Sequence, residues 1–426
     1  MASAAETFSD VACTVCGCVC DDLVLVIKDE RIVEANGACK LAEPWFAALN
    51  ESRPAAASVE GQVATHEAAL ARAASILRAS TNPLVFGLSR SSTRGQRAAV
   101  RLAEALRGNI DTTASVCHGP SIMAMQQVGE STCSLGEVRN RADLVIFWGA
   151  NPAESHPRHF ERYSVEPAGE MVPRGRLDRT IVVVDTKATA TSERADVFLQ
   201  VKPDRDFELI WALRQIIAGG DPGSPNQTGV PVEATLDLAR RMTNCRYGVV
   251  FFGLGIAQRG MGHSTVEALL RLVEDLNAHT RFAARRLRVP GDVAGADGVL
   301  CWQTGFAFAV NFSRGYPRYN PGEFTANELL ARGEVDACLL VGSESVGLLG
   351  AAAQATLRRI PTITLDYPHI DAPWQPTVLF TTAVYGIHVA GTAYRMDEIP
   401  IPLRRLVGSI YKTDDEILTE LVKRVT

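Results

Sequence analysis

Lysine is scarce in this chain of 426 residues: it stands only at Lys28, Lys40, Lys187, Lys202, Lys412 and Lys423, although Lys and Arg together number 43. No basic block forms and the net charge is −5, which excludes a dedicated nucleic-acid binder. No apolar run is long enough to span a membrane. The opening MASAAETFSD lacks the charged-then-apolar layout of a secretory signal, so a cytoplasmic protein is expected. Aromatics reach only 7%, but hydrophobic residues at 46% and charged residues at 21% are ordinary for a globular chain. A chain of this length buries a large core without disulfide staples.

Cysteine, by contrast, is concentrated. The stretch CTVCGCVC places Cys13, Cys16, Cys18 and Cys20 within eight residues, and Cys39 follows. In a reducing compartment such cysteines are ligands or buried thiols more often than disulfides. Three thiolates on one loop and a fourth further on suit a cubane iron–sulfur cluster, which draws four thiolates into a compact shell. A structural zinc commonly takes two paired knuckles, and the second pair is missing here. Buried thiols without metal remain the plain alternative. Cys18 is expected to be the spare, with its side chain turned away.

The rest reads as α/β. LVLVI, KDE and RIV form a strand–turn–strand pattern between Asp22 and Val33. Apolar strand-like runs follow at 83–88, 143–149, 180–185, 247–253, 337–342 and 362–366. Amphipathic segments at 66–80, 96–108 and 265–278 lie between them. This alternation predicts parallel sheets flanked by helices, with a small N-terminal cysteine-bearing β lobe. The expected division is 1–52 for that lobe, 53–140 with 315–426 for a first α/β lobe, and 141–314 for a second. GDPGSPNQTG (220–229) reads as a surface loop or linker, and DDEILTELVKRV as a terminal helix. Several strands run into Gly, Asn, Ser or Asp, the loop chemistry that binds ligands beyond strand carboxyl ends. Cys117 precedes a rigid HisGlyPro turn; a core thiol and a nucleophile paired with His118 are both open readings.

Taken together, CTVCGCVCDD with Cys39, ASVCHGP, IFWGANPAESHPRHFERYS, VVVDTKATATSERAD, LCWQTGFAFAVNFSRGYPRYNPGEF and GTAYRMD resemble the B subunit of formylmethanofuran dehydrogenase, in the molybdopterin oxidoreductase superfamily. The resemblance implies Rossmann-like lobes. It implies a [4Fe-4S] cluster on Cys13, Cys16, Cys20 and Cys39, and tungsten or molybdenum on Cys117, held with two pyranopterin guanine dinucleotides. His118 and Arg288 would stand beside that metal as partners for a small anion such as formate. Gly149, Asn151, Ser155, His156, Arg158, Asp185, Thr186, Gly253, Gly255 and Ser343 would hold the dinucleotides. Turn geometry alone is the rival explanation for these positions.

The implied reaction is the interconversion of CO2 and formate in one-carbon metabolism. The implied partners are a small β-barrel subunit capping the pterin, an amidohydrolase-like subunit, a formyltransferase subunit, further complex subunits and a ferredoxin-type electron partner. Two features pull the other way. Val289 and Pro290 stand where the archaeal pattern carries Gly and His. The Arg- and Ala-rich composition also reads as GC-rich coding bias and points to an aerobic bacterium. In methylotrophic bacteria the related formyltransferase/hydrolase complex releases formate from a formyl carrier, and there the corresponding chain would be a redox-silent scaffold with empty cofactor sites. A zinc-stabilised α/β binding protein is the remaining alternative.

Overall fold

The six apolar runs form strands in the computed structural model, which describes residues 4–51, 53–221 and 227–426. Part of the expected linker, 222–226, lies outside the described residues. The chain divides into two units, Met1–Val116 with Pro290–Thr426, and Cys117–Val289.

In the first unit, Glu6–Val11, Leu23–Lys28 and Arg31–Asn36 pair antiparallel as the sheet of the cysteine lobe, and the helix Ala42–Glu51 follows. The unit's main sheet has nine strands. Its centre is parallel, in the spatial order Asn109–Thr112, Pro83–Gly87, Ala337–Val341, Thr362–Asp366 and Val378–Thr381. Short antiparallel strands border it on both sides, so this sheet is mixed rather than wholly parallel.

Period-two alternation puts neighbouring residues on opposite faces of each strand, and both faces are dry. Val85, Leu339, Ile363 and Phe380 pack under the helices His66–Ala79, Thr93–Ala105 and Asp414–Val425. Leu84, Phe86, Cys338 and Leu340 pack on the other face with Leu330 and Leu357. The terminal helix begins with a capping box between Thr413 and Glu416, a pair of reciprocal bonds that satisfies two orphan amides.

The second unit carries a five-stranded, fully parallel sheet in the order Val197–Gln200, Thr180–Asp185, Leu144–Trp148, Tyr247–Phe252 and Arg281–Arg286. Ile146, Val182, Val250 and Ala284 share one core with residues of the helices Asp206–Ile217, Val232–Asn244 and Gly262–Leu276. In this unit the strand that comes first in sequence lies at the centre, and later strands add on either side of it. The order therefore reverses between Leu144–Trp148 and Tyr247–Phe252, which makes a topological switch point. The first unit has its own reversal between Pro83–Gly87 and Ala337–Val341. Among the described residues no helix is long and apolar enough to cross a membrane.

Candidate functional site

The cysteine loop is closed by its own backbone. Cys13 N–H donates to the Cys20 carbonyl at 2.7 Å, and Val19 N–H donates to the Cys16 carbonyl at 3.1 Å with Val19 at φ +36°. This turn gathers the sulfurs. Burial, then Cys16, with smaller contributions from Cys20 and Cys39, pushes the Cys13 thiol well above its ordinary pKa. Cys16, Cys20 and Cys39 therefore all lie near enough to oppose ionisation of Cys13, and Cys13, Cys16 and Cys20 are buried. The donor set fits a cluster of soft metal, which would hold these sulfurs deprotonated.

Among the described residues, no group of three or more His, Cys, Asp or Glu side chains is arranged to hold a single metal ion. Cys18 departs from expectation. Its thiol is buried and hydrogen-bonded with Cys16 and Cys20 instead of turning away.

The loop is seated on the strand-end loops of its own unit. Arg90 Nη1 donates to the carbonyls of Thr14 at 2.8 Å and Val15 at 3.1 Å. Cys16 bridges to Pro290, and Met396 N–H donates to the Gly17 carbonyl at 2.8 Å. Gly291 passes so close that a Cβ there would stand 2.7 Å from the carbonyl oxygens of Thr14 and Ser89. Ser343 also belongs to this unit, just past the strand Ala337–Val341, and its N–H donates to Asp366 Oδ1 at 2.7 Å.

All the other expected site residues fall in the second unit. Gly149 and Gly255 lie at the carboxyl ends of the two strands that flank its switch point. A Cβ on Gly253 would come within 2.6 Å of the Gly149 carbonyl oxygen, so at this crossing backbone meets backbone. That is the narrow, side-chain-free approach a diphosphate-linked dinucleotide requires. Asp185 ends the neighbouring strand, where an acidic residue can reach ribose hydroxyls; its Oδ1 accepts from Thr186 N–H at 2.7 Å. Asn151 Oδ1 accepts from Thr191 Oγ1 at 2.7 Å, tying the ANPAESH loop to the TKATATS loop. Arg158 pairs with Glu161.

Cys117, His118 and Arg288 come together at the same carboxyl edge. Cys117 lies in a turn, not a strand, and His118 caps the helix Gly119–Val128. The carbonyl of Cys117 accepts from Gln258 Nε2 at 2.7 Å. His118 Nε2 lies 3.1 Å from the Leu287 carbonyl, and its Nδ1 lies 3.1 Å from Ser121 Oγ. A carbonyl only accepts, so Nε2 carries the proton and Nδ1 accepts from Ser121. His156 repeats the arrangement one residue on, with Nε2 at 2.9 Å from the Arg288 carbonyl and Nδ1 at 2.8 Å from Ser155 Oγ.

Two histidines therefore grip consecutive carbonyls of the loop that carries Arg288. Burial, then the Arg288 and Arg286 charges, holds His118 well below the usual imidazole range. Burial brings His156 down to about 4. Both rings are neutral at neutral pH. Arg288 is itself buried, with 2% exposure, and its planar fork suits a small carboxylate. The sequence had singled out neither Gln258 nor Arg90. Arg90 sits three residues past Gly87 and Gln258 five past Gly253, the glycines at their strand ends, and only that loop chemistry could have pointed to them.

No family model matches the chain. It is 39% identical over 426 residues to the B subunit of the tungsten-containing formylmethanofuran dehydrogenase 2 of Methanocaldococcus jannaschii, covering 98% of both chains. The Methanococcus maripaludis protein of the same name is 36% identical over 429 residues, with 99% of each chain covered. The B subunit of the formyltransferase/hydrolase complex Fhc of Methylorubrum extorquens is 30% identical over 303 residues, 68% of this chain and 75% of that one. In the solved formyltransferase/hydrolase complex of that organism, in complex with methylofuran, one chain superposes with a TM-score of 0.70 at 26% identity, covering 87% of this chain and 98% of that one. Acetylene hydratase from Pelobacter acetylenicus also gives 0.70, over 98% of this chain and 69% of its own; at 12% identity it shows the fold alone, a molybdopterin oxidoreductase-like one. With relatives of this identity matched from end to end, the chain belongs to the family of formylmethanofuran dehydrogenase B subunits.

Proposed function

We propose that this chain is the redox subunit of a cytoplasmic formylmethanofuran dehydrogenase-type complex, interconverting CO2 and formate. The observation that carries the reading is the joint placement of Cys117 and Arg288, whose loops are tied together through His118 and the Leu287 carbonyl. Cys117 would ligate tungsten or molybdenum, and the glycine crossing of Gly149, Gly253 and Gly255 would admit a pyranopterin dinucleotide. When bound, the metal centre supplies two-electron chemistry; formate oxidation yields CO2, one proton and two electrons.

The chain's own residues supply orientation and a dry site. Arg288 would hold the carboxylate through its two parallel N–H donors. His118 and His156 would fix the backbone beneath it, their ring protons already committed to carbonyls. Cys13, Cys16, Cys20 and Cys39 would hold a [4Fe-4S] relay, which requires an electron partner of ferredoxin type. A small β-barrel subunit would cap the pterin. An amidohydrolase-like subunit and a formyltransferase subunit would handle the formyl carrier, as parts of one heteromeric complex.

A second reading, a redox-silent scaffold in a methylotrophic formyltransferase/hydrolase complex, is favoured by Val289 and Pro290, which bring no ionisable group to the loop after Arg288. The higher identity to the tungsten-containing relatives, 39% against 30%, supports the first reading. Metal analysis of the purified complex separates the two. Iron with tungsten or molybdenum is expected, and Cys117→Ser should abolish formate-dependent dye reduction. A complex with neither metal but with full formate release would establish the scaffold, and zinc alone would establish a structural metal site.

A further inference from the structure

We propose that Arg90 positions the cysteine loop and, through its charge, sets the reduction potential of the cluster held there. The proposal rests on the reading above that Cys13, Cys16, Cys20 and Cys39 carry a [4Fe-4S] cluster.

Arg90 lies three residues beyond the strand Pro83–Gly87, at the switch point of the first unit. Its side chain is only 15% exposed. One guanidinium nitrogen donates to both carbonyls between Cys13 and Cys16, at 2.8 and 3.1 Å. The Nε edge faces Glu344, in the loop after the strand Ala337–Val341. The arginine's own carbonyl accepts from the Tyr367 hydroxyl at 2.7 Å, which fixes the root of the side chain. The loop has two further anchors, the Cys16–Pro290 bridge and the Met396–Gly17 bond.

What Arg90 alone contributes is a partly desolvated positive charge against the turn that carries two of the four expected ligands. A cluster gains one unit of negative charge on reduction, and net charge close by is one of the levers on its potential. In a medium of reduced dielectric such a charge acts strongly. Arg90 therefore favours the reduced cluster, and the Glu344 carboxylate opposes it.

The test is an EPR-monitored redox titration of the purified whole complex, with iron content measured on the same samples. Arg90→Gln should move the cluster midpoint to a more negative potential. Glu344→Gln, which leaves the cation uncompensated, should move it to a more positive one. Arg90→Lys, which keeps the charge but loses the fork, should lie nearer the unmutated value than Arg90→Gln. A purely structural arginine would change iron content while leaving the potential of the remaining clusters in place.

Unmoved potentials, or shifts of the same sign in both Gln variants, overturn the proposal. If Arg90→Gln loses its iron, Glu344→Gln still decides it: a midpoint that fails to move to a more positive potential overturns the proposal. An unmutated complex without iron overturns the cluster reading itself, a different result from iron retained with the potential unmoved.

Discussion

Gly255 and Gly149 meet backbone to backbone: Gly255 N–H donates to the Gly149 carbonyl at 3.0 Å, and a Cβ on Gly255 would stand 2.7 Å from Gly149 Cα. The obstructing atoms are main chain and cannot swing aside. Gly255→Ala should destabilise the protein by about 1–3 kcal/mol, as overpacking does. Gly149→Ala should cost a further increment of about 1–2 kcal/mol, because φ is +55° there. Thermal unfolding of each variant checks both. On the proposed reading, each should also lower the pterin recovered per complex.

His156→Leu should remove the donor to the Arg288 carbonyl, while the Ser155 hydroxyl keeps the Asn151 carbonyl as acceptor. Stranding a buried carbonyl costs about 1–3 kcal/mol. Urea unfolding should show that loss. On the proposed function, KM for formate should rise, because Arg288 loses its backbone support. Unchanged stability would mean that the imidazole bond is not made.

The same ring makes stability pH-dependent. His156 has a folded pKa of about 4, below the value near 6.5 of an unfolded histidine. The unfolded chain therefore binds the proton first, and stability should fall as pH drops from about 6.5 to about 4, by about 3 kcal/mol for this ring. His118 and His159 are shifted the same way by burial. Replacing His156 should flatten this acid limb in equilibrium unfolding.

Asp292 acts with the opposite sign. Burial raises its pKa to about 8, although it accepts from Tyr394 N–H, Gly295 N–H and Gln96 Nε2. The folded state holds this proton longer than the unfolded one, so stability is lost as pH rises from about 4 to about 8. Asp292→Asn should flatten that limb. The new carboxamide's oxygen can keep the Gln96 Nε2 bond, so Gln96 holds its place. Unfolding measured across pH 5 to pH 9 checks the sign.

Much of the scaffold was legible because buried parallel strands write themselves as unbroken apolar runs. TIVVVD became Thr180–Asp185 and TITLD became Thr362–Asp366 without adjustment. The amphipathic stretch at 66–80 became the helix His66–Ala79 for the same local reason. The antiparallel border strands, such as Gln62–Val63 and Arg318–Tyr319, are two residues long and carry no period.

The clustered cysteines and the glycines at strand ends were visible as residues, but their relations were not. Nothing local tells that Gly149 faces Gly255, that Arg90 reaches back to Thr14, or that His118 donates to the Leu287 carbonyl. Each of these is a contact between distant stretches, set by strand order. Cys18 shows the limit at short range: spacing suggested a side chain turned away, whereas its thiol is buried and hydrogen-bonded with Cys16 and Cys20.

The discontinuity of the first unit bears on synthesis. Pro83–Gly87 pairs on one side with Asn109–Thr112, but its other neighbour, Ala337–Val341, leaves the ribosome more than two hundred residues later. Until then an apolar strand edge stays open, the kind of edge that invites mispairing between nascent chains. The second unit is one uninterrupted segment and can close its sheet during that interval. Efficient production should therefore depend on what shields residues 83–87 from other chains while translation is still under way.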